Sequence, residues 1–202
     1  FLQYYARTMS QMKEPFMTAV FTASSHHPFR VPERYEGVFP NGEKPIHPCV
    51  GYTDHALRKF FEYAQKQDWY DNTLFIITAD HTNQVTLPQY ATAKGLFEVP
   101  IAFYSQQLEQ GVFHEQGTVS QTDIMPSVLA YLGYQKPFFA FGEDALTRAK
   151  KHPWAVCYNH PVYQLLTDST LVQFEGKQVC GIYNYLNDPL LQYNLANEAI
   201  DS

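Results

Sequence analysis

The sequence predicts an α/β fold: a largely parallel sheet flanked by helices, with a small antiparallel sheet appended at the C-terminal end. Three observations predict it. The runs PFMTAVFTA and TLFIITA are continuous, apolar and β-branched, as strands buried on both faces are. Between them, TDHALRKFFEYAQKQ repeats its apolar residues at the helical period. Beyond residue 150 the chain breaks into short strand-like runs separated by turn residues.

In chain order, LQYYARTMSQM reads as a leading helix stopped near Pro15, and PFMTAVFTA as the first buried strand, ending at SSHHPF. Residues 30–48, rich in proline, glycine and charge, read as a long loop. The next helix takes Thr53 as its N-cap and buries Ala56, Leu57, Phe60, Phe61 and Ala64. Asp54 and His55 fall in its polar first turn and are structural. TLFIITA is the second strand and GLFEVPIAFYS the third. TDIMPSVLAYLG is a helix capped by Thr122 or Asp123 and stopped by Gly133. WAVCYN, YQLLTD, TLVQFEG and KQVCGIYNY form the terminal antiparallel sheet, with turns at Asp168-Ser169 and Glu175-Gly176. The division is therefore residues 1–150 as one α/β part and 151–202 as a small β subdomain.

Composition bounds the function. With 202 residues, 45% hydrophobic and 17% charged, the chain is globular rather than disordered. Its net charge of -6 and lack of a Lys/Arg cluster beyond Lys150-Lys151 exclude nucleic acid as a main partner. Aromatics at 16% suit a sheet-rich core and stacking on flat or glycan-like ligands. No apolar stretch spans a bilayer, no signal peptide opens the chain, and it begins at Phe1, so a piece of a longer protein is expected. Cys49, Cys157 and Cys180 form no C-x-x-C; Cys157 and Cys180 read as lone buried thiols, with a pair between them as the alternative.

Ligands of open α/β sheets bind beyond the carboxyl ends of the strands. Two predicted strands end in histidine-bearing segments, FTASSHH and TADH. If they are parallel, His26 or His27 comes near Asp80 and His81. A hard oxygen donor beside a borderline nitrogen donor suits zinc or manganese, yet the pair supplies only two ligands. His114, His152 and His160 lie in loops with no carboxylate at ligand spacing and read as surface or packing histidines, and His47 carries no role.

The order PFMTAVFTASSHHPF, YTDHALRKFFEYAQKQDWYDNTLFIITADHT, VPIAFYS, QTDIMPSVLAYLGY and NYLNDPLLQYNLANE resembles the sulfatase and alkaline-phosphatase-like superfamily. More narrowly, it resembles the C-terminal part of the catalytic domain in the lipoteichoic acid synthase-like, phosphoglycerol transferase branch. The resemblance implies that Asp80 and His81 bind the catalytic divalent metal, manganese above zinc, calcium or magnesium. It implies that His26, ahead of His27, contacts the phosphoryl group. The nucleophile, a threonine in this branch, and a further acidic ligand lie upstream in the family. The implied reaction transfers phosphoglycerol through a covalent phosphoenzyme, with sulfuric ester hydrolysis, phosphoethanolamine transfer and a non-catalytic binding domain as alternatives. The implied partners are a phospholipid or a sulfated or phosphorylated glycan, and the upstream half of the same catalytic domain. The implied location is extracytoplasmic, on a membrane-anchored protein.

Overall fold

The computed structural model describes residues 1–108, 117–147 and 153–197. The helices are α1 (Leu2–Met9), α2 (His47–Ala64) and α3 (Ile124–Tyr131). The strands are β1 (Phe75–Thr78), β2 (Ile101–Tyr104), β3 (Ala155–Asn159), β4 (Val162–Leu166), β5 (Thr170–Glu175) and β6 (Gln178–Asn184). Loops and short turns of 3-10 helix join them. β1 pairs with β2, and β3 to β6 form a four-stranded sheet in sequential order. Contacts cluster into two compact units: Phe1–Phe75 with the segment from Tyr104, and Ile76–Phe103 with the rest of the described chain.

The first unit is built on α1 against α2. Leu2, Ala6 and Met9 recur at helical spacing and are buried, and they meet Phe60, Ala64, Trp69, Tyr70 and Phe75 in one apolar cluster. Phe60 and Phe75 cross edge to face at 6.1 Å, a favourable aromatic geometry. Polar tips in this core are satisfied: Trp69 Nε1 donates to Ser10 Oγ at 2.9 Å, and the Tyr70 and Tyr104 hydroxyls bond at 2.8 Å. That hydrogen bond, with burial second, pushes the Tyr104 phenol upward.

Two expectations for this unit are corrected. α2 begins at His47, with Pro48 in its first turn, not after Thr53. Proline fits there because first-turn N–H groups have no helical partner. Thr53 is interior, and its Oγ1 donates to the Cys49 carbonyl at 2.9 Å. Asp54 pairs with Arg58 on the exposed face at 3.4 Å, and the His55 ring packs on Tyr35 and Phe39 at 5.4 and 5.8 Å. Both stay structural, away from the first turn.

The second correction concerns PFMTAVFTA, which forms no strand and is not buried on both faces. Phe16 packs edge-on to Trp69 at 6.3 Å and Thr18 takes the Tyr5 hydroxyl at 2.6 Å. The alternate residues Met17 and Phe21 stand 94% and 74% exposed. One side thus meets the core, while the backbone finds no ladder partner among the described residues. A strand exists only where a neighbour completes its hydrogen bonds.

In the second unit, the apolar run around β1 is also less buried than its composition suggests: Ile77 is 37% exposed. GLFEVPIAFYS divides, with Gly95–Phe97 a turn of 3-10 helix and only Ile101–Tyr104 a strand. Before α3, Ser120 forms a capping box with Asp123, and Gly133 at φ 68° ends the helix turn as expected. All four terminal strands stand where the alternating pattern places them. Leu166 faces Leu171, and Gln164 faces Gln173, on the buried side. Tyr158, Tyr163 and Phe174 line the other side, with Tyr163 and Phe174 stacked at 5.4 Å. Cys157 and Cys180 lie on the two outer strands of this sheet and do not pair. All three cysteines are free; Cys157 is half-buried and Cys180 exposed, which corrects the expectation that these two are buried thiols.

Candidate metal centre

β1 ends at Thr78 and the chain turns a corner through Ala79, Asp80 and His81. The corner is ordered from within. The His81 amide donates to Asp80 Oδ1 at 2.9 Å, and His81 Nδ1 bonds the Thr82 carbonyl at 2.6 Å. A carbonyl only accepts, so Nδ1 carries the proton and a neutral ring leaves Nε2 as a bare lone pair. That Nε2 stands 3.4 Å from Asp80 Oδ2. A cation seated between the two acceptors would satisfy both.

The side chains of His81 and Asp80 are 60% and 57% exposed. At such exposure an ion pair contributes about 0–1 kcal/mol, so stability gives little reason for the arrangement. The donor chemistry fits a divalent cation: a carboxylate oxygen and an imidazole nitrogen at compatible spacing, with the second ring nitrogen fixed by a carbonyl as in metal-binding histidines. The set is incomplete, for among the described residues no cluster of three or more His, Cys, Asp or Glu stands ready to hold a metal.

Neighbouring segments brace the corner. Thr82 Oγ1 donates to the Leu96 carbonyl at 2.7 Å. From just before α3, Gln121 Nε2 donates to the carbonyls of Ala79 at 2.6 Å and Asp80 at 3.3 Å. Sequence reasoning missed Gln121. A glutamine that bonds backbone more than forty residues away leaves no local pattern.

His26 belongs to the first unit. It starts a tight turn, with the Phe29 amide on the His26 carbonyl at 2.9 Å and Phe29 at φ 58°. Its Nδ1 bonds the His27 carbonyl at 2.8 Å, so Nε2 is again the nitrogen left for a ligand, on an exposed side chain. The His27 ring lies edge-on to Phe29 at 5.7 Å. His47 Nδ1 accepts the Glu43 amide at the start of α2 and the His160 ring lies 6.0 Å from Tyr158. His114 and His152 lie outside the described residues.

The family model described as Sulfatase matches residues 1–134. The chain is 25% identical to the lipoteichoic acid synthase-like protein YvgJ of Bacillus subtilis, over 79% of this chain and 29% of that protein. It is 27% identical to the lipoteichoic acid synthase of Staphylococcus saprophyticus, over 73% of this chain and 25% of that one. A solved protein in the alkaline phosphatase superfamily from Vibrio parahaemolyticus superposes with a TM-score of 0.78 at 23% identity, covering 99% of this chain and 50% of that one. The fold is alkaline-phosphatase-like and partial: the chain spans under a third of these curated relatives and half of the solved neighbour.

Proposed function

Because this chain belongs to the sulfatase family, we propose that it is the metal-binding C-terminal part of an extracytoplasmic phosphoglycerol transferase. The observation that carries the reading is the Asp80–His81 corner, with Nε2 and Oδ2 turned toward each other at 3.4 Å. The choice of phosphoglycerol transfer follows the relatives named as lipoteichoic acid synthases. Substrates are then a phospholipid donor and a glycan-like acceptor. Membrane anchoring belongs to the proposal as well; no helix among the described residues is long and apolar enough to cross a membrane.

In this reading Asp80 Oδ2 and His81 Nε2 give half of a shell for a divalent ion, manganese above zinc, calcium or magnesium. A bound ion would lower the pKa of a hydroxyl nucleophile and neutralise charge on the phosphoryl oxygens. Nucleophile and remaining ligands come from the upstream half of the catalytic domain. His26 contacts the phosphoryl group through Nε2. With Nδ1–H committed to the His27 carbonyl, donation from Nε2 requires the imidazolium form. Transfer is a double displacement. The nucleophile's hydroxyl oxygen bonds phosphorus while its proton passes to the departing lipid alkoxide; an acceptor hydroxyl then bonds phosphorus and its proton passes to the released enzyme oxygen.

The matching family description favours one rival, sulfuric ester hydrolysis. The two readings separate on substrate. Full-length protein with manganese should turn over phosphatidylglycerol and a nitrophenyl phosphodiester, and Asp80→Ala should abolish both. Turnover of nitrophenyl sulfate alone would establish the sulfatase reading instead. Residues 1–202 by themselves should be inert, and robust activity from them would defeat the half-site account.

A further inference from the structure

We infer that Gln121 is a positioning residue for the Asp80–His81 corner, setting its metal affinity without touching the ion. The inference rests on the proposed reading of Asp80 and His81 as ligands.

A ligand that follows its own amide, as Asp80 does, is aimed by the backbone around it. Asp80 Oδ1 is engaged by the next residue's N–H, and Oδ2 is the oxygen left facing His81 Nε2. The direction of Oδ2 therefore depends on the peptide planes on either side of Asp80. Gln121 Nε2 bonds the carbonyls of both planes, at 2.6 Å to Ala79 and 3.3 Å to Asp80. One carboxamide holds both hinges.

Gln121 is itself held. The neighbouring Ser120 amide donates to Asp123 Oδ2 at 2.7 Å, and Asp123 Oδ1 takes the Glu143 amide at 2.8 Å. Asp123 is 1% exposed. A buried, fully engaged carboxylate thus fixes the segment from which Gln121 reaches out, as a support that shapes a ligand geometry requires. Fold stability supplies no rival reason. Gln121 and Asp80 are exposed, so water replaces the lost donor at little cost.

The donor character of the side chain gives the test. In Gln121→Glu the shape is kept, but a carboxylate oxygen faces two carbonyl oxygens. Manganese alone is titrated calorimetrically into the full-length protein, and the metal-free melting temperature is measured for each variant. Gln121→Ala should weaken manganese binding roughly tenfold, Gln121→Glu at least as much, both with unchanged metal-free melting, while Asp80→Asn removes binding. Affinity within twofold of wild type in Gln121→Ala, with binding lost in Asp80→Asn, overturns the inference and leaves the metal reading intact. Wild-type affinity in Asp80→Asn overturns the metal reading itself. A fall in metal-free melting that matches the affinity loss in both Gln121 variants makes Gln121 an ordinary brace. Should Gln121→Ala not fold, retained affinity in Gln121→Glu overturns the inference on its own.

Discussion

His81 Nδ1 donates to the carbonyl of Thr82 at 2.6 Å, and this single bond decides which ring nitrogen meets Asp80. Substitutions that imitate one nitrogen or the other should therefore differ. A glutamine carboxamide reaches toward the Nε2 position, whereas asparagine reaches only to Nδ1. His81→Gln should keep more manganese affinity than His81→Asn, with His81→Ala losing tenfold or more. Equal losses in the Gln and Asn variants, read by calorimetry, would mean that Nε2 is not the ligating atom.

Gly142 lies where a side chain has no room. A Cβ built there falls 2.3 Å from the Thr122 carbonyl oxygen and 2.6 Å from the Asp123 amide. Both are backbone and cannot swing aside. Gly142→Ala should destabilise the fold by about 1–3 kcal/mol, seen as a lower urea midpoint. Because the pressed segment carries Gln121, manganese affinity should fall with it.

Asp123 offers a cleaner probe of the same segment. Its carboxylate receives the amides of Ser120 and Glu143. Truncation to alanine strands those part-buried donors, at up to about 1–3 kcal/mol for each unsatisfied group. Asp123→Ala should therefore lower the melting temperature more than Asp123→Asn, which keeps one carbonyl acceptor. Equal melting of the two variants would show that the acceptors do not matter.

The three thiols should separate by reagent and by pH. Cys180 is exposed and Cys49 is buried, so a thiol reagent at neutral pH should label Cys180 first and Cys49 only on unfolding. Burial pushes the Cys49 and Cys157 thiols upward. For an acid whose folded pKa is raised, the contribution to stability is complete below the unfolded pKa. It is lost as pH climbs through the ordinary thiol range toward the folded value. Melting temperature should thus decline on the alkaline side, and Cys49→Ala should flatten that decline. A decline of the same steepness in Cys49→Ala assigns it to other groups.

What the sequence revealed follows the distance over which each element is decided. β3 to β6 pair only with chain neighbours, so alternation and turn residues place them without help. The apolar face of α2 was equally plain, but its start was not, because Pro48 reads as a breaker yet sits in the first turn. PFMTAVFTA has strand composition, and strand formation waits on a partner that composition does not specify. At the candidate site, the adjacent Asp80 and His81 stand out in the sequence as a motif. The bonds of Gln121 to two backbone carbonyls of that distant corner leave no such mark.

The exposed side of PFMTAVFTA also has a practical consequence. A segment with no ladder partner among the described residues, which shows Met17 and Phe21 to water, is a surface on which another copy can dock. Residues 1–202 produced alone should scatter light and precipitate at concentrations where a well-covered protein stays clear. Phe21→Glu should raise the soluble yield without touching the α1–α2 core, because Phe21 lies outside that cluster. Light scattering equal to that of Phe21→Glu would show that this exposed side is not the surface through which copies associate.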